Sequence, residues 1–451
     1  MVMIELDNLI SLAERVVKKA EVYGAEEAEA YISWTRSINS SIQGGLIKLS
    51  EGETAGLGIR VVIGKCVGFA AVSSIDEKKV FKVAKDAIKI ARIRPADSNF
   101  FHLPDPVKRP SKSGYFDDEL LTLTGSDLMN KTSLIVKEAE NISQQITFVS
   151  GGIGVSVNQF AVVNSRGINI GDSGTGIGGG IYCKAIEGSE ERTGYESLSS
   201  RKLFDFSGIG EIAAKRAINS LGAKKLKTTK KLPVLFDNYT TSLFLSLLSY
   251  GLSARAVQEK RSALSDKLDT KIACKNLTVI DDSWMSDGLN TVKYDAEGVP
   301  TTVKPVIKKG VLKNYLHNSY TALQEEKIST GNAARGGEDY LQLPGISPIN
   351  YLVIPGRKSL DDLISTIDEG ILVRYSLMGV GHSNFISGDF GVVASNAFYI
   401  KNKTVVHPLD PIMIAGNVYN ALKKLEVGSD IRLSFIGKIP SVLVSNLTCT
   451  P

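Results

Sequence analysis

The sequence predicts an α+β protein in two parts: an N-terminal helix-and-sheet domain, and a mainly β C-terminal domain with a few helices. Three observations carry this. Amphipathic helical stretches enclose Gly-punctuated, β-branched runs in the first half of the chain. The second half reads as strands joined by Gly and Asn turns, with fewer helical periods. A lysine cluster, Lys224, Lys225, Lys227, Lys230 and Lys231, lies between them and reads as a solvated linker. The boundaries expected are 1–226 and 232–451, the first with sub-parts at about 1–95 and 115–226. At 451 residues, 43% hydrophobic and 22% charged, the chain can bury more than one core.

The elements follow in order. Asp7 to Gly24 is an amphipathic helix, with Asp7 as cap, Leu9, Leu12, Ala13 and Val16 on the apolar face, and Gly24 as the stop. AEAYISWTR and the glycine-rich run to Ser73 read as a strand meander. Asp76 caps a second amphipathic helix. Pro95 to Gly114 is a loop carrying His102, read as a packing residue beside Phe100 and Phe101. Asp118 to about Glu140 is helical, Phe148 to Glu187 is strand with a turn at Asn164–Gly167, and Ser207 caps a helix through Ser220. After Pro233 a strand, VLFDN, feeds the stretch Asn238 to Ser262. Later strands turn at Lys309-Gly310 and at Lys401–Lys403, and Pro411 to Leu425 reads as a helix. No exact repeat is present.

Asn238 to Ser262 is the most informative stretch. Asn238 caps it, and Leu243, Phe244, Leu245, Leu247, Leu248, Tyr250 and Leu252 make it apolar nearly all round, as a buried helix is. Ser242, Ser246, Ser249, Ser253 and Ala256 form a seam of small residues. Gly251 costs a helix about 1 kcal/mol relative to Ala, so something should need it.

The net charge of +5 is mild for this length and does not argue for nucleic acid. The longest apolar run is too short for a bilayer, and the N-terminus lacks the pattern of a signal peptide. Cys66, Cys183, Cys274 and Cys449 form no CxxC pair and read as free thiols, so a cytoplasmic location is expected. There is no HExxH and no GxSxG, and His102, His317, His382 and His407 are isolated in sequence. Gly174 to Gly179 matches GxGxxG, but a strand follows instead of the helix that would meet a pyrophosphate. His382, Asn384, Asp389 and His407 stay open as an acid–base or ligand set.

SYGLSARAVQEKRSAL, LTVIDD, YDAEGVPTTVKPVIKKGVLKNYL, STGNAARG, SGDFGVVASNAFYIKNKTVVHPLDPIMIAGN and PSVLVSNLT stand in the order found in the TldD/PmbA family. IKLSEGETAGLGIRVVIGKCVGFAAVS and VVNSRGINI resemble its N-terminal half, so the resemblance spans nearly the whole chain. It implies two kinds of subunit. TldD-like chains are zinc peptidases with His-Glu-x-x-x-His on a helix and a Cys near the C-terminus. PmbA-like chains, also called TldE, share the fold but lack those ligands. The two kinds pair around a chamber where unfolded peptide is cut. Laid on this sequence, the motif's glycine falls on Gly251, and Leu247, Leu248 and Leu252 occupy the His, Glu and His positions. Phe435 to Lys438 stands where the Cys would be, and Cys449 follows the last strand.

The resemblance therefore implies a PmbA-like chain with no catalytic or metal residue of its own, and zinc only in a TldD-like partner. The expected partners are that subunit, or a second copy when the chain is alone, and unfolded peptide, without nucleic acid or membrane. Candidate peptide or partner contacts are Thr330, Gly331, Asn332, Gly388, Asp389, Gly416 and Asn417. Two other readings remain: a self-sufficient hydrolase using His382, Asp389 and His407, and a regulatory protein acting on a DNA gyrase system.

Overall fold

The computed structural model describes residues 3–43 and 45–451. Its N-terminal unit is one antiparallel sheet with helices on one face. Helix α1 (Leu6–Val22) leads into β1 (Glu27–Gln43), β2 (Leu46–Ile63) and β3 (Cys66–Val72), then α2 (Glu77–Ile93). A short α3 (Asp118–Thr122) precedes α4 (Gly125–Glu140), β4 (Ile146–Asn164), β5 (Asn169–Glu187), β6 (Glu190–Ser200) and α5 (Ile209–Ile218). The strand order is β3-β2-β1-β4-β5-β6. Each half of this sheet is thus a helix, three strands and a helix, and the halves meet at the β1–β4 pair. Sequence showed no repeat here. The architecture repeats because period-2 and period-3.6 patterning recur, which many sequences can satisfy.

Alternation along the strands sorts the two faces. Ala28, Ala30, Ile32, Trp34 and Ile38 of β1 join Ile153, Val155, Val157, Ala161 and Val163 of β4 in the cores beneath the helices. Asp76 caps α2 as expected, accepting from Lys79 N at 3.1 Å. Other ends differ from the sequence reading. Glu5, not Asp7, stands at the start of α1. Thr124 breaks the helix expected from Asp118 and starts α4 with a reciprocal capping box to Asp127. Ser207 does not cap α5. Gly208 begins it with φ +86°, and the Glu138 carboxylate of α4 accepts from Gly208 N at 3.0 Å and from Gly210 N at 3.3 Å. A neighbouring helix supplies the cap, which local sequence cannot reveal.

The C-terminal unit is a mixed sheet around a large apolar core. Strand β7 (Lys230–Phe236) lies between the long strand Gly437–Thr450 and the strand Glu369–Val373. The segment from Pro411 is not a single helix: Ile412–Asn417 is a strand, and only Val418–Ala421 is α-helical. Main-chain pairing of Asp389–Ala394 with Ile412–Asn417 draws it into the sheet. No helix among the described residues is long and apolar enough to cross a membrane.

The face of the N-terminal sheet without helices packs on the C-terminal unit. Arg60 of β2 reaches Glu29 at 2.7 Å and Glu297 at 3.1 Å, and Arg335 reaches Glu29 at 2.9 Å. All four side chains are buried. Beside them Tyr340 lies against Gly56 and Gly58. A Cβ at Gly56 would collide with the Tyr340 ring, and one at Gly58 with the Tyr340 carbonyl oxygen. Those glycines form a notch that admits the tyrosine.

Candidate functional site

The leucine-rich stretch follows β7 directly. Asp237, not Asn238, caps it, accepting from Thr240 N at 2.8 Å. Asn238 is the first helical residue, and its amide donates to Asp430 at 3.2 Å. The stretch is also not one helix. It runs as α6 (Asn238–Ser246), α7 (Leu248–Leu252) and α8 (Ala254–Gln258). Ser242 Oγ donates to Tyr239 O at 2.6 Å, and Ser246 Oγ donates to Leu243 O at 2.7 Å. Such back-bonds compete with the helix ladder, and Leu247 N donates to the nearer Phe244 O at 3.3 Å. At Ser253 the backbone turns extended, and Leu316 N donates to Leu252 O at 2.9 Å. The small seam therefore shapes the backbone.

Leu247, Leu248 and Leu252 are buried to at least 97% in the C-terminal core. Gly251 has a definite reason: the Tyr419 ring and hydroxyl occupy the space a side chain would need. The same ring fills the space beside Gly388. The Tyr419 hydroxyl is buried without a hydrogen-bond partner, and burial pushes its pKa up to about 12. Ser249 Oγ lies 3.3 Å from the hydroxyl of the fully buried Tyr351. Leucine side chains offer no lone pair, and the hydroxyls of Ser249, Tyr351 and Tyr419 make a poor zinc donor set, so these residues do not fit that metal. Cys449 does not supply a thiolate either: it is buried in the apolar core, which pushes its pKa up to about 12.

Ser249 opens onto a cleft of about 620 Å³ between the two units. Phe435, Ile436 and Ile349 line it on the side of the leucine stretch. Tyr31, Arg335 and Asp339 line it where the N-terminal sheet meets the C-terminal unit, with Asp295 nearby. Tyr31 donates to Asp339 at 2.7 Å, and the Arg335 guanidinium lies 4.4 Å from the Tyr31 ring centroid. Burial and the neighbouring Asp339 hold the Tyr31 pKa well above the ordinary phenol value. Asp295 accepts from the main-chain N–H groups of Glu297, Val299 and Ala333 at 2.9–3.0 Å. Burial, with Glu297 beside it, nonetheless raises its pKa to about 7.

The candidate contact residues fall into two groups. Thr330 and Asn332 form a buried network: Thr330 Oγ1 donates to Asn332 Oδ1 at 2.7 Å, and Asn332 Nδ2 donates to Asp281 at 2.8 Å. Gly331 turns between them with φ +72°. They do not line the cleft but anchor Ala333 and Ala334, which do. Asp389, Gly416 and Asn417 meet on paired strands, where Asn417 Nδ2 donates to Asp389 at 2.9 Å, and Gly388 makes the turn just before them with φ +80°. The hydrolase set is not assembled. Asp389 bonds Ser387 and Asn417, while His407 stacks on Tyr399 with its Nδ1 2.9 Å from Pro408 O. His382 is exposed in a short 3₁₀ turn. Among the described residues, no three His, Cys, Asp or Glu side chains are grouped to hold a metal. The GxGxxG glycines lie inside β5, and strand rather than helix continues after them.

Sequence reading missed the cleft walls, Tyr31, Phe160, Arg335 and Asp339. The signal was Glu29 and Tyr31 alternating with buried apolar residues, a strand with both faces covered.

Comparison with known proteins places this geometry. Residues 28–91 match the PmbA/TldA metallopeptidase domain 1, residues 118–221 its central domain, and residues 229–451 its C-terminal domain. The chain is 29% identical to an uncharacterized protein of Methanocaldococcus jannaschii over 93% of this chain and 94% of that one. It is 27% identical to metalloprotease PmbA of Escherichia coli O157:H7 over 94% and 92% of the two chains. The crystal structure of TldE from Thermococcus kodakarensis superposes with TM-score 0.86 at 25% identity, over 98% of this chain and 100% of the other. Three matched domains in order, on a shared fold along the whole chain, lead to one conclusion: this chain belongs to the PmbA/TldD metallopeptidase family.

Proposed function

We propose that the chain is a non-catalytic, PmbA/TldE-like subunit of a cytoplasmic TldD–PmbA-type zinc metallopeptidase that degrades unfolded peptides. One observation carries the reading. The positions that hold His, Glu and His in the family's peptidase motif hold Leu247, Leu248 and Leu252, and all three pack into the core. Leucine can neither ligate zinc nor activate water, so zinc and hydrolysis belong to a TldD-like partner in a heterodimer.

The cleft then serves to hold and align peptide. Its volume lies within the roughly 300–1,000 Å³ typical of ligand sites. The short pair Ala333–Ala334 and Gly345–Ile346 brings main chain to its wall, where an extended peptide can hydrogen-bond by strand addition. Phe160, Tyr31 and Phe435 supply apolar contact, and Arg335 and Asp339 supply polar ends. Thr330 and Asn332 act behind this wall by fixing its position.

Co-purification from the native source tests the assembly. The expected result is a second chain carrying His-Glu-x-x-x-His, with zinc and chelator-sensitive peptide hydrolysis present only in the complex. Full activity in a preparation of this chain alone would overturn the proposal.

A further inference from the structure

A second pocket lies where α5 meets the C-terminal unit, sharing no lining residue with the cleft and independent of the function proposed above. Its volume is about 210 Å³, room for several waters at roughly 30 Å³ each. The floor is apolar, formed by Ile364, Leu372 and Phe398, with Val405 exposed at its rim. Two guanidinium groups line it, Arg216 and Arg374.

Three features set this pocket apart from ordinary packing. The first is the backbone at Tyr375. Ser376 N donates to Arg374 O at 2.7 Å across a three-residue turn, and Tyr375 has φ +65°. That is the strained hand of the γ-turn, and a bulky side chain is rarely found there. Among the described residues, Tyr375 is the one aromatic residue with positive φ. Tyr375 N donates to the buried Asp237 at 3.2 Å, which helps hold the turn. Strain that the surroundings hold in place is common at ligand clamps.

The second feature is what the turn achieves. It places the Tyr375 ring 3.7 Å from the Arg216 guanidinium and 4.7 Å from that of Arg374, measured to the ring centroid. The third is the state of the arginines. The Nε of each is buried without a hydrogen-bond partner. Arg216 is otherwise engaged, with Glu196 at 2.6 Å and the Tyr195 carbonyl at 2.5 Å. Arg374 forms no ion pair within 4.0 Å among the described residues, and the buried Asp237 acts on its charge only from beyond that distance. Asp361 lines the pocket but is exposed. The buried Nε is closed to a ligand, but the terminal N–H groups of Arg374 make no hydrogen bond or ion pair among the described residues, and a guanidinium held by stacking with those groups free is prepared for a planar oxyanion.

We propose that this pocket binds an organic carboxylate with a short apolar tail, the carboxylate on Arg374 and the tail on Ile364, Leu372 and Phe398. Two sources share this chemistry: the C-terminal end of a peptide, and a free aliphatic acid. The test is calorimetric titration of the full chain with N-acetyl-leucine, isovalerate, N-acetyl-leucinamide and inorganic phosphate. Saturable one-site binding of at least one of the two acids is expected, with the amide at least tenfold weaker. N-acetyl-leucine binding more tightly than isovalerate assigns the site to a peptide end, and the reverse order assigns it to a free acid. Arg374→Gln should weaken binding at least tenfold. Val405→Trp alters an exposed residue and should block the pocket to a similar degree in a folded chain. Equal binding of acid and amide, phosphate binding as tightly as either acid, or unchanged affinity in Val405→Trp would overturn the proposal.

Discussion

The two walls of the cleft are built on opposite principles. On one side Phe435, Ile436 and Ile349 stand in front of Leu247, Leu248 and Leu252, an apolar wall backed by an apolar core. On the other, Tyr31, Arg335 and Asp339 stand in front of Glu29, Arg60 and Glu297, a polar wall backed by buried ion pairs. The first wall lies on the side of the positions that the proposal aligns with the family's peptidase motif, and its side chains offer no ionisable group. The second presents an arginine and an aspartate at its surface, with three more charged side chains paired behind them. On the function proposed above, a cleft with these two walls orients peptide and leaves its cutting to a partner subunit.

The comparison can be broken first on the charged wall. Arg60→Leu leaves Glu297 without its ion pair and Glu29 with one partner fewer. Breaking a buried pair typically costs about 3–5 kcal/mol. Thermal melting should show that loss in the transition that separates the two units. A change below about 1 kcal/mol would mean that the units are held chiefly by apolar contact.

Gly58→Ala should come next. Its Cβ would meet the Tyr340 carbonyl oxygen, a main-chain atom with little freedom to retreat. Overpacking of this kind costs about 1–3 kcal/mol. The segment around Gly336 and Gly337 should also become more sensitive to protease, because Tyr340 can no longer seat in its notch. Unaltered cleavage would show that the notch does not hold the segment.

At the start of the leucine-rich stretch, Asp237→Ala removes the cap of α6 and the acceptor for Tyr375 N. A lost cap costs about 0.5–2 kcal/mol. Denaturation of the C-terminal unit should report that range, with Asp237→Asn recovering most of the loss.

The smallest effect is a pH dependence. Burial lowers the His317 pKa against the opposing pull of Glu325, and Lys327 adds to the lowering. The unfolded chain therefore binds the proton more readily than the folded one. Stability is full above the ordinary histidine pKa of about 6.5 and declines as pH falls through and below it. His317→Gln should flatten the acid limb of the melting-temperature profile. An unchanged limb would assign it to other groups.

Much of this was legible in the sequence, and the rest was hidden for identifiable reasons. The α+β class followed from periodicity, and the burial of Leu247, Leu248 and Leu252 followed from a stretch that is apolar nearly all round. The cap of α6 was misplaced by one residue because Asp237 and Asn238 are both good caps. The break at Leu247 was missed because serine back-bonding competes with a pattern that otherwise reads as one helix. Gly68 lies inside β3, where a side chain would strike Ala87 and Ala91 of α2, a long-range contact that no local pattern displays. The cleft was not legible at all. Its polar wall joins Tyr31 to Asp339 across 308 residues, and only the folded chain brings them together.

The most direct test of the central claim is elemental analysis and peptide hydrolysis of the purified chain, free of any second subunit. The account predicts no stoichiometric zinc and no chelator-sensitive cleavage of an unfolded peptide. One zinc per chain, with hydrolysis that disappears on chelation and returns with the metal, would contradict it.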